Sequence, residues 1–171
     1  LWDGRQERFD LTALRCYRAL KDTKRIARSL GTLGGGNHFI EIDRSADGTN
    51  YLVIHTGSRN LGKQVAEYYQ NIAIDLSHGK DELFRARDEL IRRYKAEGRR
   101  SELQEALKDL NRGFQAKEAE IPADLAFLYG SYLADYLHDI EICQNFARRN
   151  REVIAHVLLE RTGLTAGEAF H

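Results

Sequence analysis

The sequence contains no methionine, and it begins with Leu1. Because a natural reading frame starts with methionine, we expect the chain to be an internal piece of a longer protein. Its only two cysteines, Cys16 and Cys143, form no Cys-x-x-Cys pair, so neither a disulfide framework nor a zinc ribbon is indicated. Few cysteines favour a reducing compartment, and we expect a cytoplasmic protein. No apolar run approaches the roughly 18 residues that a membrane-spanning helix needs, so no membrane partner is expected.

The sequence also lacks an excess of positively or negatively charged residues. The 26 Lys and Arg residues are balanced by 26 Asp and Glu residues. This balance excludes an overall cationic field as the means of holding nucleic acid, but it leaves room for a local patch. The segment 10–30 is either a solvated helix face or a phosphate-facing surface. Its basic residues are Arg15, Arg18, Lys21, Lys24, Arg25 and Arg28.

The pattern along the first half of the chain predicts a helix, a glycine loop and a β-hairpin. Apolar residues recur at helical spacing over 10–30. The glycine-rich run 31–36 cannot be the interior of a helix. Two short β-rich runs follow at 37–43 and 51–56, and the Asp47-Gly48 pair between them is a hairpin turn signal.

The second half is predicted to be helical. Apolar spacing predicts a helix from Asn60 onward, and the charge-dense stretch 81–115 predicts a protruding helical pair with a break near Gly98. Pro122 is expected to open a last helix that ends before Gly163. The prediction is a single α+β domain piece, with helices packed on a mixed sheet that contains the hairpin. Its core comprises 10–78 and 122–171, and a charged helical insertion covers about 80–120.

The two histidines of the hairpin are candidate metal ligands. If Asp47 and Gly48 are the two central turn residues, residue 55 faces residue 40 and residue 38 is its diagonal neighbour. His38 and His55 would then project from one face with Cβ atoms roughly 7 Å apart. They could share one metal or each hold one of two metals. A change of one residue in the register would undo this arrangement, and purely structural histidines remain the alternative.

Arg59 is the candidate anion-binding residue. It follows the strand exit Thr56-Gly57-Ser58, and a guanidinium offers a two-pronged donor to phosphate. The glycine loop nearby would expose N–H groups toward an anion. The alternative is that Gly57 simply ends the strand and that Arg59 is a surface residue.

Three runs of the sequence resemble the RtcB-type RNA ligases. The run Gly-Thr-Leu-Gly-Gly-Gly-Asn-His-Phe-Ile-Glu at 31–41 is similar to a signature block of that family. The run Ile-His-Thr-Gly-Ser-Arg-Asn-Leu-Gly at 54–62 resembles the next block at compatible spacing. A looser match is Asn-Phe-Ala-Arg-Arg-Asn-Arg at 145–151. Together the matching spans cover about 29–64 and 130–156.

The resemblance implies an enzyme that joins RNA ends with GTP and two manganese ions. In the family, a histidine is guanylylated, the guanylate passes to an RNA 3′-phosphate, and the 5′-hydroxyl of the other strand displaces GMP. A 2′,3′-cyclic phosphate is first opened by hydrolysis. By position, His38 and His55 match two manganese ligands, one for each ion, and Arg59 matches a catalytic arginine that holds an RNA-side phosphate. The residues that match the guanylate side of the site are Asn37, His38, Phe39, Ile40 and Glu41.

Important parts of the family's site are missing from this sequence. The cysteine that bridges the metals should precede residue 1, the third metal histidine should fall at or just after His171, and the guanylylated histidine should lie further downstream. The piece alone is therefore expected to be inactive. Two other readings stay open for the parent protein: a metal-dependent phosphoesterase and a non-catalytic RNA-binding relative. The sequence also leaves open whether an activating protein partner is needed.

Overall fold

The computed structural model describes residues 9–119 and 121–170. These residues form helices and one antiparallel hairpin, which confirms the predicted α+β class. The helices are α1 (Thr23–Arg28), α2 (Leu61–Ser77), α3 (Asp81–Ala96), α4 (Leu103–Gly113) and α5 (Gly130–Thr162). The strands are β1 (Phe39–Arg44) and β2 (Asn50–His55). Contacts divide the chain into two compact units, one of Leu1–Tyr68 with Leu133–His171 and the other of Tyr69–Tyr132.

The hairpin is the whole sheet within the described residues, so the expected mixed sheet is not found there. Its loop holds three residues, because Ser45 N–H donates to the Thr49 carbonyl at 2.9 Å and Gly48 N–H donates back to Ser45 at 2.9 Å. Gly48 has a φ of 89°, which suits a three-residue hairpin loop. His55 therefore pairs with Phe39 and not with Ile40, and the predicted register is wrong by one residue.

The single helix predicted over 10–30 is also wrong. The segment forms two short 3-10 turns, Leu11–Ala13 and Tyr17–Ala19, before the six-residue α1. The interruption has a long-range cause, because the N–H groups of Arg15 and Cys16 donate to the carboxylate of Asp139 at 2.8 and 3.0 Å. Those N–H groups are therefore satisfied without the carbonyls of a preceding helical turn.

The core of the first unit lies along one face of α5 and the start of α2. Phe146, Asn150, Val153 and Ile154 recur at helical spacing and are all buried. An edge-on contact joins the Phe146 ring to Phe9, with ring centroids 5.1 Å apart. Other buried apolar residues of this unit are Leu11, Leu14, Cys16, Ile26, Leu61, Val65 and Cys143.

The second unit is mostly polar helix. Neither α3 nor α4 contains a buried residue, and the chain turns between them at Gly98, which has a φ of 72°. The predicted break is therefore confirmed, whereas the role of this segment as an insertion stays a prediction. Pro122 does not open the long helix as predicted: it precedes the 3-10 turn Ala123–Leu125, and α5 begins only at Gly130.

The end of α5 agrees with the sequence. It stops at Thr162, and Gly163 follows with a φ of 67°, as a helix terminator should. Among the described residues, no helix combines the length and apolar character needed to cross a membrane.

Candidate functional site

The glycine loop provides the backbone for the site. Gly31, Gly34 and Gly36 have φ values of 78°, 90° and 92°, a region that residues with a Cβ rarely adopt. The loop leads directly into His38 and then β1. Glycine at these positions therefore lets the chain turn sharply just before the candidate metal ligand.

The two candidate histidines lie close together. Their ring centroids are 6.2 Å apart, and the ring of Phe39 stacks on His55 at 5.0 Å with an interplanar angle of 13°. The shifted register does not separate them, because His38 lies before β1 and is not bound by the strand's alternation. The structure thus brings together the pair that the sequence indicated, through a different pairing of the strands.

Arg59 lies across the glycine loop and reaches His38. Its Nε donates to Thr32 Oγ1 at 3.1 Å, and its Nη1 donates to the Leu33 carbonyl at 3.1 Å and lies 3.4 Å from His38 Nδ1. A Cβ on Gly34 would stand 1.6 Å from Nη1, so the absence of a side chain there makes room for the guanidinium. Arg59 itself has a φ of 53°, which turns the chain at the strand exit.

A basic cleft of about 470 Å³ adjoins Arg59. Arg25, Arg59 and Lys63 contribute three cations to its lining, against the single carboxylate of Asp22. Such a surplus of positive charge favours a phosphate or another anion. Arg25 thus connects the basic segment 10–30 to this cleft, and the phosphate-facing interpretation of the segment stays a prediction.

The remaining predicted site residues do not all join this cluster. Asn37 is exposed beside His38, whereas Ile40 and Glu41 line a separate, mainly apolar groove of about 730 Å³ with Leu52 and Leu158. Phe39 is the one predicted guanylate-side residue, apart from His38, that contacts a candidate metal ligand.

The donor set for a metal is partial. Two imidazoles suit a transition metal, but the described residues contain no group of three or more His, Cys, Asp or Glu side chains placed to hold one. His171, at or after which the third histidine is expected, lies outside the described residues. The residues present therefore fit part of a metal centre, and further ligands must come from elsewhere.

The two cysteines are free thiols. Both are buried, and burial together with the neighbouring Asp139 raises the pKa of Cys16 to about 12 and that of Cys143 to about 11. Thiols with pKa values this high stay protonated at neutral pH unless a metal binds them. Among the described residues, neither cysteine belongs to a group of three or more potential metal ligands, and the expectation that Cys16 is not the bridging cysteine stays a prediction.

Two residues that the sequence analysis named only as parts of longer runs, without a role, hold the site loops. Asn150 on α5 hydrogen-bonds the glycine loop and the strand exit, and Thr56 donates its hydroxyl to the Leu33 carbonyl at 2.7 Å. A polar residue at a buried position of the α5 pattern was the available signal for Asn150.

Comparisons with known proteins give a consistent result. Residues 13–169 match the model of a family described as tRNA-splicing ligase RtcB. The RNA-splicing ligase RtcB of Escherichia coli strain K12 is 31% identical over 129 residues, which cover 74% of this chain and 23% of that protein. The tRNA-splicing ligase RtcB of Pyrococcus horikoshii is 28% identical over 171 residues, covering 92% of this chain and 15% of that protein.

A third relative has a higher sequence identity over a shorter stretch. The tRNA-splicing ligase RtcB of Aeropyrum pernix is 45% identical over 60 residues, covering 27% of this chain and 12% of that protein. The chain thus spans less than a quarter of the length of these relatives. No solved structure matches the chain significantly.

Proposed function

Because the chain belongs to the RtcB family, we propose that it is part of an RNA ligase. The parent protein would join an RNA 3′-phosphate or 2′,3′-cyclic phosphate end to a 5′-hydroxyl end, with RNA and GTP as its partners. The guanylylated histidine of that reaction would lie outside this chain. A cytoplasmic location and an activating protein partner are further expectations for the parent protein.

The observation that carries the proposal is the convergence of Arg59, His38 and His55. Arg59 Nη1 lies 3.4 Å from His38 Nδ1, and the His38 and His55 rings are 6.2 Å apart. A phosphate held by the guanidinium would therefore lie near the His38 imidazole, which is itself the neighbour of His55. That is the arrangement needed where a phosphoryl group and metal ions meet.

His38 and His55 are proposed to hold manganese, one ion each, with further ligands from outside the described residues. Bound manganese would neutralise phosphate oxygens and help to align the attacking and leaving oxygens. The other predicted guanylate-side residues, Asn37, Phe39, Ile40 and Glu41, keep that proposed role.

The cleft gives the RNA backbone a path to the site. Thr32 and Leu33 fix the guanidinium of Arg59, so its position needs no reordering when a phosphate arrives. Arg25 and Lys63 extend the positive charge along the cleft. These two residues are expected to contact further backbone phosphates, and a contact of this kind makes binding depend on salt.

The test uses the full-length protein with manganese and labelled GTP. We compare wild type with His38→Ala and with His156→Ala, a matched control at an exposed position on α5. Covalent guanylate should form on wild type and on the control but be lost in His38→Ala. RNA strands with a 3′-phosphate and a 5′-hydroxyl should then be joined by the same two proteins.

Other outcomes would contradict the ligase proposal. Release of inorganic phosphate without guanylate on the protein would indicate a phosphoesterase. RNA binding without either reaction, in any divalent metal, would indicate a non-catalytic RNA-binding protein.

A further inference from the structure

The side-chain amide of Asn150 is fully buried and connects two loops. Its Oδ1 accepts from the N–H groups of Gly31 and Thr32 at 2.7 and 3.1 Å. Its Nδ2 donates to the carbonyls of Thr32 and Gly57 at 3.1 and 3.3 Å. The relative exposure of Asn150 is 0%, so water does not compete for these bonds.

Both loops carry residues of the candidate site. The glycine loop leads from Gly31 to His38, and the strand exit leads from His55 through Gly57 to Arg59. Further bonds join the same segments, because Thr56 Oγ1 donates to the Leu33 carbonyl at 2.7 Å and Arg151 on α5 donates to the Thr56 carbonyl at 3.2 Å. The end of β2 is thus attached both to the glycine loop and to α5.

We propose that Asn150 is a positioning residue, which sets the separation of the glycine loop and the strand exit so that the guanidinium of Arg59 meets the ring of His38. It acts through these loops and touches no reacting group. The effect of Asn150 on catalysis rests on the proposed function, whereas its hydrogen bonds to the two loops do not depend on that function.

An amide is required at this position because the two loops present both N–H groups that need an acceptor and carbonyls that need a donor. The glycine loop offers two N–H groups that need an acceptor, and the strand exit offers a carbonyl that needs a donor. Aspartate would still accept from the two N–H groups but would place an oxygen against the Thr32 and Gly57 carbonyls. Leucine has the same branching and number of side-chain heavy atoms but no polar atom, so it would leave the buried N–H groups and carbonyls without partners.

Asp139 provides a matched control on the same helix. Its side chain also has a relative exposure of 0%, and it also accepts two backbone N–H groups, those of Arg15 and Cys16. Those bonds hold the 3-10 segment and not the loops of the site. Asp139→Asn should therefore lower stability without disturbing the meeting of Arg59 and His38.

The experiment compares Asn150→Leu, Asn150→Asp and Asp139→Asn in the full-length protein, well below each melting temperature. We expect the two Asn150 variants to lower kcat for RNA joining about 10- to 100-fold, because displacements near 1 Å cost that much. Affinity for manganese alone, without RNA or GTP, should fall about 10- to 100-fold, as it does when the partners that orient metal ligands are removed. Asp139→Asn should stay within about twofold of wild type in both measurements.

A milder variant tests the inference even if the Asn150 variants do not fold. Thr56→Val removes the hydroxyl that donates to the Leu33 carbonyl and accepts from Asn150 Nδ2 at 3.5 Å, and it should lower kcat by a smaller factor. Asn150 and Asp139 variants that lose equal kcat and equal manganese affinity at equal loss of melting temperature would overturn the inference. If the Asn150 variants do not fold, a Thr56→Val protein with wild-type kcat would also overturn it.

Different results would contradict the proposed function and the positioning role of Asn150. Wild-type protein that does not join RNA would overturn the proposed function. Wild-type joining, with Asn150→Leu no worse than Asp139→Asn, would overturn the positioning role of Asn150 alone.

Discussion

Gly34→Ala should weaken RNA binding by more than its loss of stability explains. The new Cβ would lie 1.6 Å from Arg59 Nη1 and 2.2 Å from its Cζ, so the guanidinium must leave its place on the loop. Alanine at a φ of 90° should cost about 1–2 kcal/mol of stability. Loss of one charged hydrogen bond to a phosphate is worth about 1.5–3 kcal/mol, which corresponds to a roughly 10- to 150-fold loss of affinity.

Gly36→Ala is the matched control. Gly36 has nearly the same φ, 92°, but a Cβ there would meet nothing within 4 Å. Thermal unfolding should show similar losses of stability for both variants in the full-length protein. Fluorescence anisotropy with a 3′-phosphorylated RNA, at one fixed salt concentration, should show a large loss of affinity only for Gly34→Ala. Equal losses of affinity in the two variants would refute the role assigned to the position of Arg59.

Three further predictions concern other groups. Arg59→Lys keeps the charge but loses the N–H groups that bind the Thr32 hydroxyl and the Leu33 carbonyl, so the cation is no longer held in place. RNA affinity should fall about tenfold, and unchanged affinity would contradict this prediction. Burial alone would raise the pKa of the Asp139 carboxyl, but hydrogen bonds from Arg15, His138 and Cys16 outweigh it and hold the pKa below its usual value. The free energy of unfolding that this carboxylate contributes is fully present above about pH 4 and is lost as the pH falls through the lowered pKa of the folded protein. Urea unfolding at a series of pH values should show this decline in the wild type and not in Asp139→Asn. Cys16 and Cys143, with pKa values raised to about 12 and about 11, should resist alkylation at pH 8 until the protein unfolds; peptide mapping checks this.

The hairpin could be predicted from sequence, but its register could not. An Asp-Gly pair between two β-rich runs is a local signal, and the strands formed there. The register depends on whether the turn uses two or three residues. That choice rests on the side chain of Asp47, which accepts from the Thr49 N–H at 3.0 Å and from the Ser45 hydroxyl.

Long-range hydrogen bonds explain the larger failures. Helical spacing over 10–30 carries no information about Asp139, which lies 124 residues beyond Arg15 and takes its N–H. The candidate histidines and Arg59 could be found because their chemistry is visible in the residue types. Asn150 was missed because its role depends on two distant loops that only the folded chain brings to it.

The glycine loop cannot gain its bonds to Asn150 when it is first synthesised, because that residue follows Gly31 by 119 positions. The loop can form these bonds only after most of α5 has left the ribosome, so within residues 31–150 the site becomes ordered late. The cost of closing so long a stretch rises only slowly with its length, by about 0.6 kcal/mol for each doubling. Segments between Tyr69 and Tyr132 could therefore lengthen or shorten during evolution with little effect on the energy of closing that contact.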